Sequence, residues 1–275
     1  MAMSVNNLKI PLNPRDFSSW HEYYWTYQYQ LATKCHIPLM ESWGVRFENA
    51  KVLDVGCGAG GFTAAVSDRG AECVGVEIRE FTRKPINNPR LQYVVQDVTA
   101  PEAPDKLGVD YDLVVLRDVI EHIPLDRKER FLISLRRFLR RSGKIFFAFP
   151  PFYSPYGLHQ QTLLKSKLRL MPYLHYAPRF LLRRMISWTG EPATTLAAIE
   201  DIARCKMTMR HFEKLMRQTG MEILHEKHYF IRPSHELRYG WKTRSAWFGR
   251  IPLVREVLVS GATVLVGVND HQTSP

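Results

Sequence analysis

Val52-Leu53-Asp54-Val55-Gly56-Cys57-Gly58-Ala59-Gly60-Gly61-Phe62-Thr63 is the stretch whose reading decides the fold. The short apolar run from Lys51 to Val55 is a buried strand. It ends in a glycine-rich turn, and Phe62 to Arg69 then reads as a helix closed by Gly70. Gly56, Gly58 and Gly61 satisfy the G-x-G-x-x-G spacing of a dinucleotide loop. Asp54 argues against that ligand. A carboxylate two residues before the first glycine sits at the carboxyl end of the strand. There it repels a pyrophosphate and suits a ligand carrying a positive ammonium or sulfonium group.

Two further acids stand in equivalent places. Glu72 to Val76 is a second strand, and Glu77 closes it; a carboxylate there can accept two hydrogen bonds from ribose hydroxyls. Leu91 to Val95 is a third strand, followed by Asp97, which is placed to accept from an adenine amino group, with Ile78 and Val98 able to sandwich the ring. One acid at a strand end is an ordinary turn or cap. Three in order, beside a glycine turn, describe one ligand.

Tyr111 to Leu116 and Lys144 to Phe149 are the fourth and fifth strands, with a helical stripe over Phe131 to Leu139 between them. Pro150-Pro151 stops the fifth. Residues 207–219 read as a helix opened by Thr208 and closed by Gly220, and Met221 to Ile231 and Ala262 to Val268 as the last two strands. Their connection, 232–261, shows no helix signal before Pro252. Strands alternating with helices, each strand a continuous apolar run, predict a mostly parallel sheet covered on both faces. Residues 17–33 predict an aromatic helix capped by Ser18 or Ser19, with Trp20, Tyr23, Tyr24, Tyr27 and Leu31 at spacings of three and four.

The chain has 275 residues, long enough for a full core without metal or disulfide staples. The four cysteines form no CxxC pair, which predicts a reduced, cytosolic protein without a zinc site. No apolar stretch reaches the ~18 residues of a membrane span, and Met1 to Pro11 lacks the pattern of a secretory signal. The net charge is +11 and lies in the second half: residues 1–150 carry 20 Lys/Arg against 18 Asp/Glu, residues 151–260 carry 18 against 8. That asymmetry predicts an anionic partner there: a phosphorylated or carboxylated substrate, a membrane surface, or RNA.

Asp54-Val-Gly56-Cys-Gly58-Ala-Gly60, Glu77, Asp97 and Asp118-Val-Ile-Glu121-His122 together resemble a class I S-adenosylmethionine (SAM)-dependent methyltransferase. The run from Asp118 to Pro124 is similar to the ubiquinone-pathway type and related small-molecule enzymes. The resemblance implies a Rossmann-like α/β fold: a seven-stranded, mostly parallel sheet with its last strand antiparallel. One domain would span 1–275, with an N-terminal helical lid (15–45), a substrate cap inserted after strand 5 (151–206) and a second variable segment (232–261). It implies that Asp54, Gly56 and Gly58 serve the methionine part of SAM, Glu77 the ribose, Ile78, Asp97 and Val98 the adenine, and the backbone of Arg117 the methionine end.

For the chemistry, methyl transfer to a hydroxyl needs a base, and the candidates on the acceptor rim are His122 and His159. Tyr24, Tyr153 and Tyr156 are candidates for the acceptor pocket. Asp118, Glu121 and His122, at i, i+3 and i+4, share a face on a helical turn and with His159 would make an N/O set for Mg²⁺ or Zn²⁺. Some methyltransferases with a similar run use a metal and many do not; the first position here is Asp rather than Glu, and no metal is expected.

Residues 161–188 interleave Leu163, Leu168, Phe180 and Leu182 with Lys165, Lys167, Arg169 and Arg183. Pro172 and Pro178 divide them into two short basic amphipathic helices. They fit a lid over the pocket or a peripheral contact with anionic membrane; nucleic acid fits poorly, since the aromatics are not interleaved as a stacking platform requires. The function expected is O-methylation of an apolar or anionic small molecule. The alternatives are an NAD-dependent oxidoreductase and a non-catalytic SAM-fold or RNA-binding scaffold.

Overall fold

In the computed structural model, which describes residues 9–81 and 88–268, one sheet runs through the molecule. Its strands are β1 (Lys51–Val55), β2 (Glu72–Glu77), β3 (Leu91–Val95), β4 (Tyr111–Arg117), β5 (Leu139–Phe149), β6 (Met221–Ile231), β7 (Arg244–Ser245) and β8 (Gly261–Val268). Their order is β3-β2-β1-β4-β5-β8-β6-β7. The seven expected strands are there, and the two-residue β7 adds an eighth at the edge beside β6. The first five strands pair in parallel, while β8 runs antiparallel between β5 and β6.

The continuous apolar runs are explained by two covered faces. Within β4, Leu113 and Val115 join a core with Val52, Phe62, Val66 and Phe146. Val114 and Leu116 join the opposite core with Leu53, Val55, Phe131, Phe147 and Phe212. Register then fixes the site. Val55 lies level with Val76 and with Leu116, so Gly56, Glu77 and Arg117 follow at one edge. The chain leaves β1 toward β2 on one side and returns to β4 on the other; ligands of open α/β sheets bind at that switch point.

The aromatic helix runs from Trp20 to Leu31, shorter than 17–33. The Ser19 hydroxyl accepts from the Glu22 N–H, and the Glu22 carboxylate accepts from both the N–H and the hydroxyl of Ser18, three bonds that close the N-terminus in the manner of a capping box. A wider turn, Ala32–His36, carries it into Ile37–Ser42. The stripe read over Phe131 to Leu139 is shifted: the helix is Lys128–Arg136, and Leu139 already pairs with Tyr111 as the start of β5. The connection 232–261 is also corrected, because it holds a helix at Pro233–Tyr239 besides the one at Pro252–Leu258. Pro233 at the first helical position and Gly240 in the left-handed cap are its start and stop signals.

Within 161–188 there is one basic helix of full length, Arg179–Trp188, and not two. Ahead of it come a four-residue helix at Gln160–Leu163 and tight turns at Lys167–Leu170 and Leu174–Tyr176. The insertion has its own small core, in which Leu182 and Ile186, one helical turn apart, meet Phe152, Leu174 and Ile199. No described helix is long and apolar enough to cross a membrane.

Candidate active site

The glycine turn is built against the aromatic helix. Gly56, Gly58 and Gly60 all take positive φ, open to glycine at little cost. At Gly61 the reason is space: a Cβ there would lie 2.0 Å from the Trp25 carbonyl oxygen. The Gly61 N–H donates to Gln28 Oε1 (3.2 Å), and Gln28 Nε2 donates to the Cys57 carbonyl (3.2 Å). A buried side chain of the helix therefore holds both limbs of the turn.

In front of the turn lies a cavity of about 800 Å³. Gly56, Gly58, Glu77, Ile78, Asp97, Val98, Arg117 and Tyr24 all line it. Glu77 Oε2 accepts from the Gly58 N–H (3.1 Å) and Oε1 from the Ile78 N–H (3.0 Å), which orients the carboxylate across the cavity floor. Asp97 is fixed through one oxygen, which accepts from the Thr99 N–H (2.8 Å) and hydroxyl (2.7 Å), and its other oxygen takes part in neither bond. Ile78, 63% exposed, and the buried Val98 supply apolar walls beside it.

Asp54 is placed differently from the sequence reading. It is fully buried behind the turn and is not on the cavity wall. Its Oδ2 accepts from the Thr63 hydroxyl (2.6 Å), and the Arg117 guanidinium stands 3.7 Å away, itself stacked 4.0 Å over Phe62. Burial pushes the Asp54 carboxyl upward, against the pull of Arg117 and Thr63. The bare carboxylate that argued against a pyrophosphate is thus closed off by Arg117. The side chain of Arg117 turns back on Asp54, where the sequence reading invoked only its backbone.

A second cavity, about 330 Å³, adjoins the first and shares Tyr24, Phe81, Asp118 and His122 with it. His159, Tyr156 and Trp20 line it, together with Arg232 at the cap, and His235 and Arg238 within, the helix that the sequence did not reveal. Tyr153 does not line it: it packs on Phe152 and Tyr176 in the insertion, and its hydroxyl accepts from Lys206 (3.3 Å). Asp118 does not join Glu121 and His122 on a shared face. It takes a left-handed backbone (φ 53°) and pairs with Arg232 at 3.1 Å.

The electrostatics follow from partial desolvation around the cavity, where Glu121 is buried, His159 half-buried, and Asp118 and His122 keep exposed surface. Burial acts to raise the Asp118 carboxyl, but Arg232, with His159, Arg238 and Arg117 behind it, outweighs burial and holds it below the usual range. Burial, then the neighbouring His122 and Arg232, pushes His159 down to about 3. Burial lowers His122 as well, opposed by Asp118. The two imidazoles meet edge to face at 5.2 Å, both neutral at pH 7. Glu121 is buried beneath them with neither carboxyl oxygen hydrogen-bonded; burial, then Asp118, raises it well above a normal carboxyl. One ligand atom each of Glu121, His122 and His159 lies within 4.8 Å of the others, a donor set able to hold a transition metal.

A Methyltransferase domain model matches residues 27–226. The chain belongs to the SAM-dependent methyltransferases. The ubiquinone biosynthesis O-methyltransferase of Idiomarina loihiensis is 33% identical over 102 residues, 36% of this chain and 41% of that protein. The enzyme of the same name from Pseudomonas savastanoi is 28% identical over 118 residues, 40% and 50% of the two chains. The chain thus spans half or less of the length of these curated relatives. Among solved structures, the magnesium protoporphyrin IX methyltransferase of Synechocystis with bound SAH is similar at TM-score 0.49 and 13% identity, covering 92% of this chain and 89% of that one.

The larger cavity of this methyltransferase fits SAM by its own chemistry. Its glycine turn admits a ligand against the backbone, Glu77 offers carboxylate oxygens, and Asp97 keeps one oxygen outside its turn. Phe81, Arg232, His235 and Arg238 line the cavities and Gln28 braces the turn; the sequence reading named none of them.

Proposed function

We propose that this methyltransferase moves a methyl group from SAM to a hydroxyl oxygen of a small-molecule acceptor seated in the smaller cavity, with His122 as the base. The observation that carries the reading is that His122 lines both cavities, while His159 lines only the smaller one. Glu77 and Asp97 would hold the ribose and adenine. SAM, when bound, supplies a methyl on a positive sulfonium, already a good leaving group. The protein therefore needs mainly to align the acceptor and exclude water, which can contribute on the order of 7–11 kcal/mol. The neutral His122 takes the hydroxyl proton, a contribution of roughly 10²–10⁴-fold. His159 borders it edge to face, and Asp118 favours the imidazolium that forms. Trp20 stacks on Tyr24 at 4.8 Å to roof the junction.

Melting the protein with S-adenosylhomocysteine and, separately, with NAD tests the cofactor. At 100 times Kd a ligand stabilises by about 2.7 kcal/mol, roughly 5–10 °C at this size. A shift with NAD and none with S-adenosylhomocysteine would overturn the placement of SAM in the larger cavity. Transfer from labelled SAM to a panel of phenols, amines and carbon acids then tests the oxygen assignment.

A second reading concerns the surface of 161–188. Phe180 and Trp188 are 75% and 74% exposed, and Arg184 stands 4.5 Å over Trp188. We propose that this face touches anionic membrane, each basic residue adding about 1 kcal/mol. Absence of salt-sensitive co-sedimentation with phosphatidylserine vesicles would remove the idea.

A further inference from the structure

Resting on the acceptor assignment above, we infer that the smaller cavity takes an acceptor carrying a carboxylate, and that Arg238 is the residue that binds it. The charges facing the cavity do not cancel. Arg232 is matched by Asp118 at 3.1 Å. Arg238 has no carboxylate within 4 Å among the described residues; its guanidinium lies 4.3 Å over the Tyr27 ring instead. Its Nε is buried without a hydrogen-bond partner, as is that of Arg232. His159 and His235, both pushed down to about 3 by burial first, add no charge at neutral pH.

One positive charge is therefore left over at the acceptor cavity. A half-buried guanidinium whose Nε is sealed from water without a partner is costly, and a ligand carboxylate is the group that completes it. The surplus of one favours a monoanion over a phosphate dianion. The planar fork of arginine matches the two oxygens of a carboxylate, and Tyr27 beneath holds the fork flat. Arg238 is thus a specificity residue: it selects the acceptor by charge and takes no part in the proton transfer.

The test uses the full chain loaded with S-adenosylhomocysteine, titrated by calorimetry with 3,4-dihydroxybenzoate and with its neutral isostere 3,4-dihydroxybenzamide. The acid should bind about 10- to 100-fold tighter than the amide, the range of a hydrogen bond to a charged group. That preference should vanish in Arg238→Gln and return in part in Arg238→Lys, with S-adenosylhomocysteine affinity unchanged in both. Equal binding of acid and amide, binding of neither, or a preference that survives in Arg238→Gln overturns the inference. A preference lost only in Arg232→Gln also overturns it. Failure of the unaltered protein to bind S-adenosylhomocysteine would instead count against the methyltransferase site itself.

Discussion

The N–H of Gly61, at the start of the helix after the glycine turn, donates to the side-chain oxygen of Gln28 in the aromatic helix, 3.2 Å away. The Nε2 of the same Gln28 side chain donates to the carbonyl of Cys57 on the other limb of the turn. One buried residue thus sets the shape of the cofactor loop from outside it. Replacing Gln28 by Leu leaves the Gly61 N–H buried and unpartnered, a loss of about 1–3 kcal/mol. We expect a lower melting temperature together with weaker S-adenosylhomocysteine binding. A variant that melts lower yet binds as before would mean that Gln28 only staples the helix.

Glu77 accepts from the N–H groups of Gly58 and Ile78 and spans the cavity floor. Glu77→Ala should weaken S-adenosylhomocysteine about tenfold or more, since hydrogen bonds to a charged group contribute about 1.5–3 kcal/mol. Glu77→Gln keeps one acceptor and should fall between. Calorimetry decides it, and an unchanged affinity in the alanine variant rules out the ribose role.

The pH profile follows from His122. Its pKa is lowered, first by burial, and the neutral ring is the active form. The rate should be level around pH 7–8 and fall with acid only through a pKa below the ordinary ~6.5. His122→Ala should lose roughly 10²–10⁴-fold in kcat and abolish that acid limb. If His159→Ala abolishes the limb while His122→Ala leaves it, the roles are exchanged.

His36 offers a stability test away from the chemistry. It is buried against Phe62 and Phe146, and burial, then Arg117, lowers it to about 3. The unfolded chain therefore binds a proton that the folded one refuses between about 3 and about 6.5, so stability rises with pH across that window. At pH 5 this one residue should cost about 2 kcal/mol relative to pH 7. The melting temperature of His36→Phe should depend less on pH there; an unaltered slope refutes the assignment.

Chelation separates the two uses of Glu121, His122 and His159. With His122 as a base and no metal required, EDTA treatment should leave the rate unchanged. A loss restored by Zn²⁺ or Mg²⁺ would assign the three groups, within 4.8 Å of one another, as ligands.

Much of the cofactor side is local and so legible in the chain. Strand, glycine turn and helix follow one another from Lys51, and Glu77 and Asp97 close successive apolar runs whose parallel register brings them to one edge. The composition also located the excess positive charge in the second half. Other details depended on neighbours. Phe138 and Leu139 continue a helical stripe, yet Leu139 pairs with Tyr111 because the sheet offers it a partner there. Tyr153 is one of several aromatics after β5, and only packing separates it from Tyr156.

The acceptor side was decided by tertiary structure alone. Arg232 reaches Asp118 across 114 residues, and Arg238 is brought to the same cavity by a helix whose only local signals are Pro233 and Gly240. Hydrophobic period and turn chemistry act over a few residues, and they are written in the order of the chain. Charge pairing and desolvation depend on distance and burial, which exist only once the chain has folded. That is why the sequence determined which kind of cofactor this protein holds, while the fold decided which charges its acceptor must answer.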